Sequence, residues 1–343
     1  MKPLTKKPKS LRKAKIFQSD KMTNQTQRKS PVKKLLSYSL LAIILLLFIR
    51  YIYGHLADFK QIALVNPLWL IPLIALFLMN YYLIGIQTNI LIEPLGVKLR
   101  KMETFMLSII TGFYNLITPA KGGMLVRAAY LKKKHKFTYT NFLASLAGMY
   151  VLTFFIASLF GLLSLFFIHQ TTESFNWIIL SVFLGVFFPL LFIILFSPNF
   201  PETKNKFINK FIKVANGWNL IRKNKKVVSI CIFVTLITLL IGAFSIIISY
   251  HIFGINISFV SALFLACIGS LSLLVQLTPG NLGVGEAIAV FSALVIGITP
   301  AQSLPVAILG RIVQMIVLFI LGPIFSYKLL KHQPQLADKR KKK

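Results

Sequence analysis

The chain has 343 residues, 56% of them hydrophobic and only 14% charged, with a mean hydropathy of +0.74. Soluble domains run near a quarter charged, so this composition excludes a soluble enzyme and points to a polytopic membrane protein. Lys and Arg outnumber Asp and Glu by 39 to 8, a formal charge of +31. Such a balance can mark a nucleic-acid binder. Here the cations sit between apolar runs, the pattern of membrane topology, and no nucleic-acid partner is expected. Cys231 and Cys267 both lie in apolar stretches and form no disulfide framework. His55, His135, His169, His251 and His332 are scattered, with no HExxH. Neither a metal site nor a cofactor is expected.

Residues 1–34 form a Lys-rich tail with too little apolar content to order itself. The run Leu35–Tyr53 that follows is too long for a signal-peptide core and lacks an A-x-A site, so it reads as a retained first span. Arg50, Tyr51 and Tyr53 then mark its far interface. Further spans are predicted at Pro67–Ile92, Thr140–His169, Phe175–Ser197, Val227–Phe253 and Gln302–Leu330, each long enough to cross about 30 Å of hydrocarbon. The chain closes on a basic tail, 332–343.

Two regions, Thr104–Lys134 and Ser258–Gly297, do not fit as spans. Each is a short apolar run, a Thr-Pro break, a Gly-rich step and a second short run. Pro lacks an N–H and disfavours helix in the residue before it, and Gly tolerates the turn. Each region is predicted to be a helix–break–helix hairpin that enters the membrane and returns. On that reading the cytoplasmic segments are 1–34, 93–103, 127–139, 198–226 and 331–343, and the outer loops carry only Lys60 as a basic residue. The positive-inside rule then places both termini in the cytoplasm.

The two breaks align: Thr118 with Thr278, Pro119 with Pro279, Gly123 with Gly283. Three crossings separate them, so the copies enter from opposite faces. The expected fold is all-α: six full spans plus two oppositely oriented re-entrant hairpins. Repeat 1 covers about 67–197 and repeat 2 about 227–330, within a transmembrane domain of 35–331. Inverted repeats with broken helices place transporter sites near the midplane.

Charges inside a span usually pair or face a cavity. Glu286 follows the second break and Arg311 lies in the last span, with Gln276, Asn281 and Gln314 close in sequence. They are expected to face each other, either around a polar cavity or as an ion pair pinning the second hairpin to the last span. Lys121, Arg127, Asn115 and Tyr114 are the first-repeat counterparts. Lys121 sits at the hairpin tip; Arg127 is either a site residue or a cytoplasmic interface anchor. Three cations near two helix N-termini favour a phosphate-bearing ligand.

Leu116–Arg127 followed by a basic turn, and Pro279-x-x-x-Gly283-x-x-Glu286 followed by Arg311, resemble the membrane region of the lysylphosphatidylglycerol synthase family. The resemblance covers roughly residues 35–330. It implies a flippase-like domain of a multi-pass protein of the cell inner (plasma) membrane. Such a domain would bind and move a phospholipid or polyprenyl lipid, beside a separate lipid-modifying enzyme. The family's large soluble catalytic domain has no counterpart in the dozen residues after the last span, so no enzymatic activity is expected. The position matching Arg311 in the first repeat is Val151, which puts the sharper chemistry in the second half. Lipid binding and translocation would involve Lys121, Arg127, Asn281, Glu286 and Arg311. Alternatives are a proton-coupled small-solute transporter and an enzyme or accessory protein acting on polyprenyl-phosphate-linked glycans. The basic tails and the 198–226 loop would also attract anionic inner-leaflet lipids.

Overall fold

The computed structural model describes residues 65–118, 121–172, 176–196, 221–276 and 278–331, with isolated positions between 201 and 219. The basic tails, the expected span Leu35–Tyr53 with Arg50, Lys60, Pro119 and Leu277 lie outside the described residues. The described part is all helical, without a strand. In chain order the helices are α1 (Leu70–Ile92), α2 (Lys101–Ile117), α3 (Gly122–His135), α4 (Tyr139–Thr172), α5 (Trp177–Phe196), α6 (Lys225–Ile252), α7 (Phe259–Leu271), α8 (Val284–Ala293) and α9 (Pro300–Lys331).

Their ends follow local chemistry. The Asn224 side chain accepts from the Val227 N–H and starts α6; Ser258 does the same for Ser261 at α7. The last turn of α3 carries Lys132, Lys133, Lys134 and His135, the charge sign that suits a helix C-terminus. The long helices α1, α4, α5, α6 and α9 fall within a few residues of the predicted spans. The outward face of α5 exposes Val182, Phe188, Phe192, Leu195 and Phe196, a surface that an apolar solvent satisfies.

Both predicted breaks are present. Helix α2 ends at Ile117 and α3 starts at Gly122; α7 ends at Leu271, two 3-10 turns follow, and α8 starts at Val284. The first pair is an antiparallel hairpin. Glu103 near the start of α2 meets Tyr130, Lys134 and His135 near the end of α3, while Thr111 meets Arg127 nearer the tip. Among the described residues, six segments are long and apolar enough to cross a membrane, and one of them is Pro279–Ile296, inside the second hairpin. That differs from the predicted set. It passes on length and composition but is not one helix. Gly280 and Asn281 have positive φ, Gly283 has φ +79, and the continuous helix α8 is 10 residues, only about 15 Å.

The repeat is visible in the backbone itself. Lys121 (φ 58) and Asn281 (φ 60) are both left-handed and occupy the same register, two residues before Gly123 and Gly283. The two breaks also meet in space. Gly280 packs on Leu116, so closely that a Cβ there would lie 2.6 Å from Leu116 Cδ1. Lys121 Nζ donates across to the Leu273 carbonyl at 2.8 Å. The main core cluster joins α4, α6 and α7 through Phe264, Cys267, Ala243 and Leu165, and a second cluster fills the base of the first hairpin.

The first hairpin depends on one close backbone approach. A Cβ at Gly123 would lie 2.0 Å from the Thr111 carbonyl oxygen, whereas one at Gly185 in α5 meets nothing within 4 Å. Gly123→Ala is therefore expected to destabilise the protein by about 2 kcal/mol or more, because helix backbone rather than a flexible tip must move. Gly185→Ala is expected to be neutral or slightly stabilising. Melting of the purified variants in detergent checks both; equal melting temperatures would show that α2 and α3 are not so tightly apposed.

Candidate functional site

A cavity of about 520 Å³ lies where the two breaks meet, between α1, α2, α4, α6 and α7. That is a usual size for a ligand site. Its wall is mostly apolar, but it carries Lys121 and Arg127 and the amides of Asn80, Gln87, Asn115, Gln276 and Gln314. No carboxylate lines it among the described residues.

Arg127 is 2% exposed. Its Nε donates to Thr111 Oγ1 at 2.9 Å and its Nη1 to Thr88 Oγ1 at 2.9 Å, so α3 is tied to α2 and α1 by two hydroxyls. Each hydroxyl in turn donates to the carbonyl four residues back in its helix. The guanidinium is thus solvated without being neutralised. Arg127 is thus buried in the helix packing. Lys121 precedes α3 at the break. Besides the Leu273 carbonyl it reaches Tyr150 Oη at 3.4 Å, with its ammonium 5.0 Å from the ring centroid. Tyr150 itself stacks on Phe154. Asn115 lines the cavity, while its Oδ1 is itself buried and has no hydrogen-bond partner.

The second-repeat residues form a closed set. Arg311 Nε donates to Glu286 Oε1 at 2.6 Å, and Nη1 donates to the Gly280 carbonyl at 2.5 Å and to Gln314 Oε1 at 3.1 Å. Nη2 reaches the Asn281 carbonyl at 3.4 Å. Glu286 Oε2 accepts the Gly283 N–H at 2.7 Å, the returning arm of a capping box. Thr278 Oγ1 donates to the Leu282 carbonyl. The pair therefore pins the second break to α9 and satisfies the turn's own backbone. Neither Arg311 nor Glu286 lines the cavity, which Gln314 and Gly280 reach instead. Of the two roles left open by the sequence, the pinning one describes this geometry. The cations that line the cavity, Lys121 and Arg127, belong to the first half. Thr118 donates to the Tyr114 carbonyl at the end of α2.

Three features escaped the sequence reading. Thr88 and Thr111 accept from Arg127, and Tyr150 lies one residue before Val151 at the cavity. The amides Asn80 and Gln87 inside an otherwise apolar span were an available signal, since buried amides need partners. The third is at the base of the first hairpin. Tyr130 Oη, Lys134 Nζ and His135 Nε2 all lie within 3.0 Å of Glu103 Oε1. Burial alone would raise this carboxyl. The hydrogen bonds from Tyr130, His135 and Lys134 outweigh it and hold the group at about 2, below its ordinary 4.5.

A family description, the lysylphosphatidylglycerol synthase TM region, matches residues 34–322. No curated protein and no solved structure matches the chain.

Two predictions come from these clusters. Glu286→Gln leaves Arg311 without its counter-charge and should cost about 3 kcal/mol, whereas Glu286→Gln with Arg311→Met should recover only part of it, because the Gly280 and Asn281 carbonyls then lose their donor. Melting of both variants in detergent checks this; a double variant no better than the single would show that the pair is not a unit. Glu103 has a depressed pKa, so its contribution is complete above pH 4.5 and is lost as pH falls towards about 2. The melting-temperature gap between wild type and Glu103→Gln should be constant from pH 7 to 5 and close below 4.5. A gap independent of pH would remove the carboxylate from the hairpin's stability.

Proposed function

The chain belongs to the lysylphosphatidylglycerol synthase transmembrane-region family, and on that premise we propose that it binds a phosphate-bearing lipid and moves it between leaflets. The observation that carries this reading is the cavity at the meeting point of the two breaks, with Lys121 and Arg127 on its wall and, among the described residues, no carboxylate beside them. A buried guanidinium without a counter-anion is costly, and a phosphate supplies the missing charge with a geometry that suits the planar fork.

In this reading the two hairpins are re-entrant from opposite faces. Their aligned register and antiparallel first hairpin support that, as does the 10-residue length of α8, about 15 Å. Broken helices packed against one another at mid-depth are the arrangement in which irregular backbone is tolerated, because it lines a polar cavity. Both termini face the cytoplasm of a plasma membrane, supported by the concentration of Lys and Arg in the segments assigned there. Acyl or prenyl chains stay in the bilayer while the headgroup passes through the cavity. A separate enzyme makes or consumes the lipid.

The transporter alternative would need a carboxylate at the cavity, and Glu286 instead binds Arg311 and the Gly283 N–H.

Reconstitution with fluorescently labelled phosphatidylglycerol, followed by chemical quenching of the outer leaflet, tests the proposal. Wild-type proteoliposomes should expose inner-leaflet label. Lys121→Gln and Arg127→Gln should each slow that exposure at least about tenfold, the scale of one lost charge-assisted contact. Wild-type rates in both variants, with unchanged folding, would dismiss the site.

A further inference from the structure

We infer that the cavity selects a lipid headgroup of net negative charge and turns away headgroups that carry ammonium groups. The inference rests on the lipid reading above and narrows its substrate class. It starts from an accounting of acids. Among the described residues, Glu93 is paired with Lys98, Glu103 with Lys134 and His135, and Glu286 with Arg311. Each described carboxylate is therefore committed to a cation away from the cavity wall. Lys121 and Arg127 face the cavity with only carbonyl, hydroxyl and ring partners.

A headgroup entering this space meets two positive charges and a set of neutral amides. A phosphate complements both cations: Arg127 as a planar fork and Lys121 as a point charge. Neutral hydroxyls, as on a glycerol or a sugar, suit Asn80, Gln87, Asn115, Gln276 and Gln314, which each offer a donor and an acceptor.

A lysyl-bearing phosphatidylglycerol is a different object. It carries one phosphate and two ammonium groups, a net charge of +1. Its ammonium groups would find no carboxylate on the wall and would stand within a few ångströms of a buried guanidinium. Like charges at that separation in a protein interior discriminate by more than about tenfold. The chain is thus a family member whose cavity suits an unmodified anionic lipid rather than the aminoacylated product in the family's name.

The test is lipid binding to the full chain in detergent, read by native mass spectrometry during titration with phosphatidylglycerol, lysyl-phosphatidylglycerol or phosphatidylcholine. Phosphatidylglycerol should bind at least about tenfold more tightly than the lysyl form. Lys121→Gln and Arg127→Gln should shrink that ratio towards one, while Lys121→Arg and Arg127→Lys keep most of it. Variants are compared only where melting shows that they fold. Lysyl-phosphatidylglycerol binding as tightly as phosphatidylglycerol, with both lost in the Gln variants, would overturn the charge selection and leave the lipid site standing. A tenfold ratio unchanged in folded Gln variants would overturn the assignment of the selection to these two residues. Both lipids binding no better than phosphatidylcholine would overturn the lipid reading itself.

Discussion

A helix interrupted in an apolar surrounding must have its freed backbone groups satisfied by something other than water, and this chain interrupts two. The second break is met by side chains at nearly every exposed point. Arg311 takes the Gly280 and Asn281 carbonyls, Glu286 takes the Gly283 N–H, and Thr278 closes on the Leu282 carbonyl. The first break is met by Thr118, which donates to the Tyr114 carbonyl, while the Lys121 ammonium beside it crosses to the other hairpin's Leu273 carbonyl. A charged side chain therefore stands at each break. What differs is whether that charge is cancelled locally.

That difference turns a pair of similar turns into a directional site. In the second repeat a carboxylate, an arginine and a glutamine close on one another, and the charge is spent on holding the turn to α9. In the first repeat the arginine is held by two threonine hydroxyls and the lysine by a carbonyl and a tyrosine. Hydroxyls and carbonyls orient a cation without neutralising it. The backbone symmetry, with Lys121 and Asn281 both left-handed in matching register, is preserved while the electrostatic symmetry is broken. A ligand cavity at that junction acquires a sign from one half only.

The architecture was legible in the sequence because its signals are local. Apolar runs of span length, and Thr-Pro followed by Gly, depend on a dozen neighbouring residues and survive folding unchanged. The Glu286–Arg311 contact was legible too, because charges are so rare in these runs that two in adjacent segments have few other partners. What could not be read was whatever depends on how distant helices rotate against one another. Thr88 lies 39 positions from Arg127 and Leu273 lies 152 from Lys121. Sequence left Arg127 open between a site residue and an interface anchor, because how α3 turns was not legible; α3 buries Arg127 while Lys132–Lys134 stay exposed. The Pro279–Ile296 segment shows the converse: composition alone passes it as a span, and only the φ angles at Gly280, Asn281 and Gly283 interrupt it.

The identity of residue 121 carries the argument one step further. A left-handed position at a helix start is met most cheaply by Gly or Asn, and the matching position in the second repeat is Asn281. A lysine there costs about 1 kcal/mol of backbone strain and places an ammonium at a wet-to-dry boundary inside the protein. A local rule broken at a buried polar junction marks function more often than stability. The strap to Leu273 does not by itself account for the choice, since a neutral donor could serve a carbonyl. The ammonium that joins the two hairpin tips also stands on the cavity wall, so the strap between the breaks and half of the cavity's positive charge belong to one side chain.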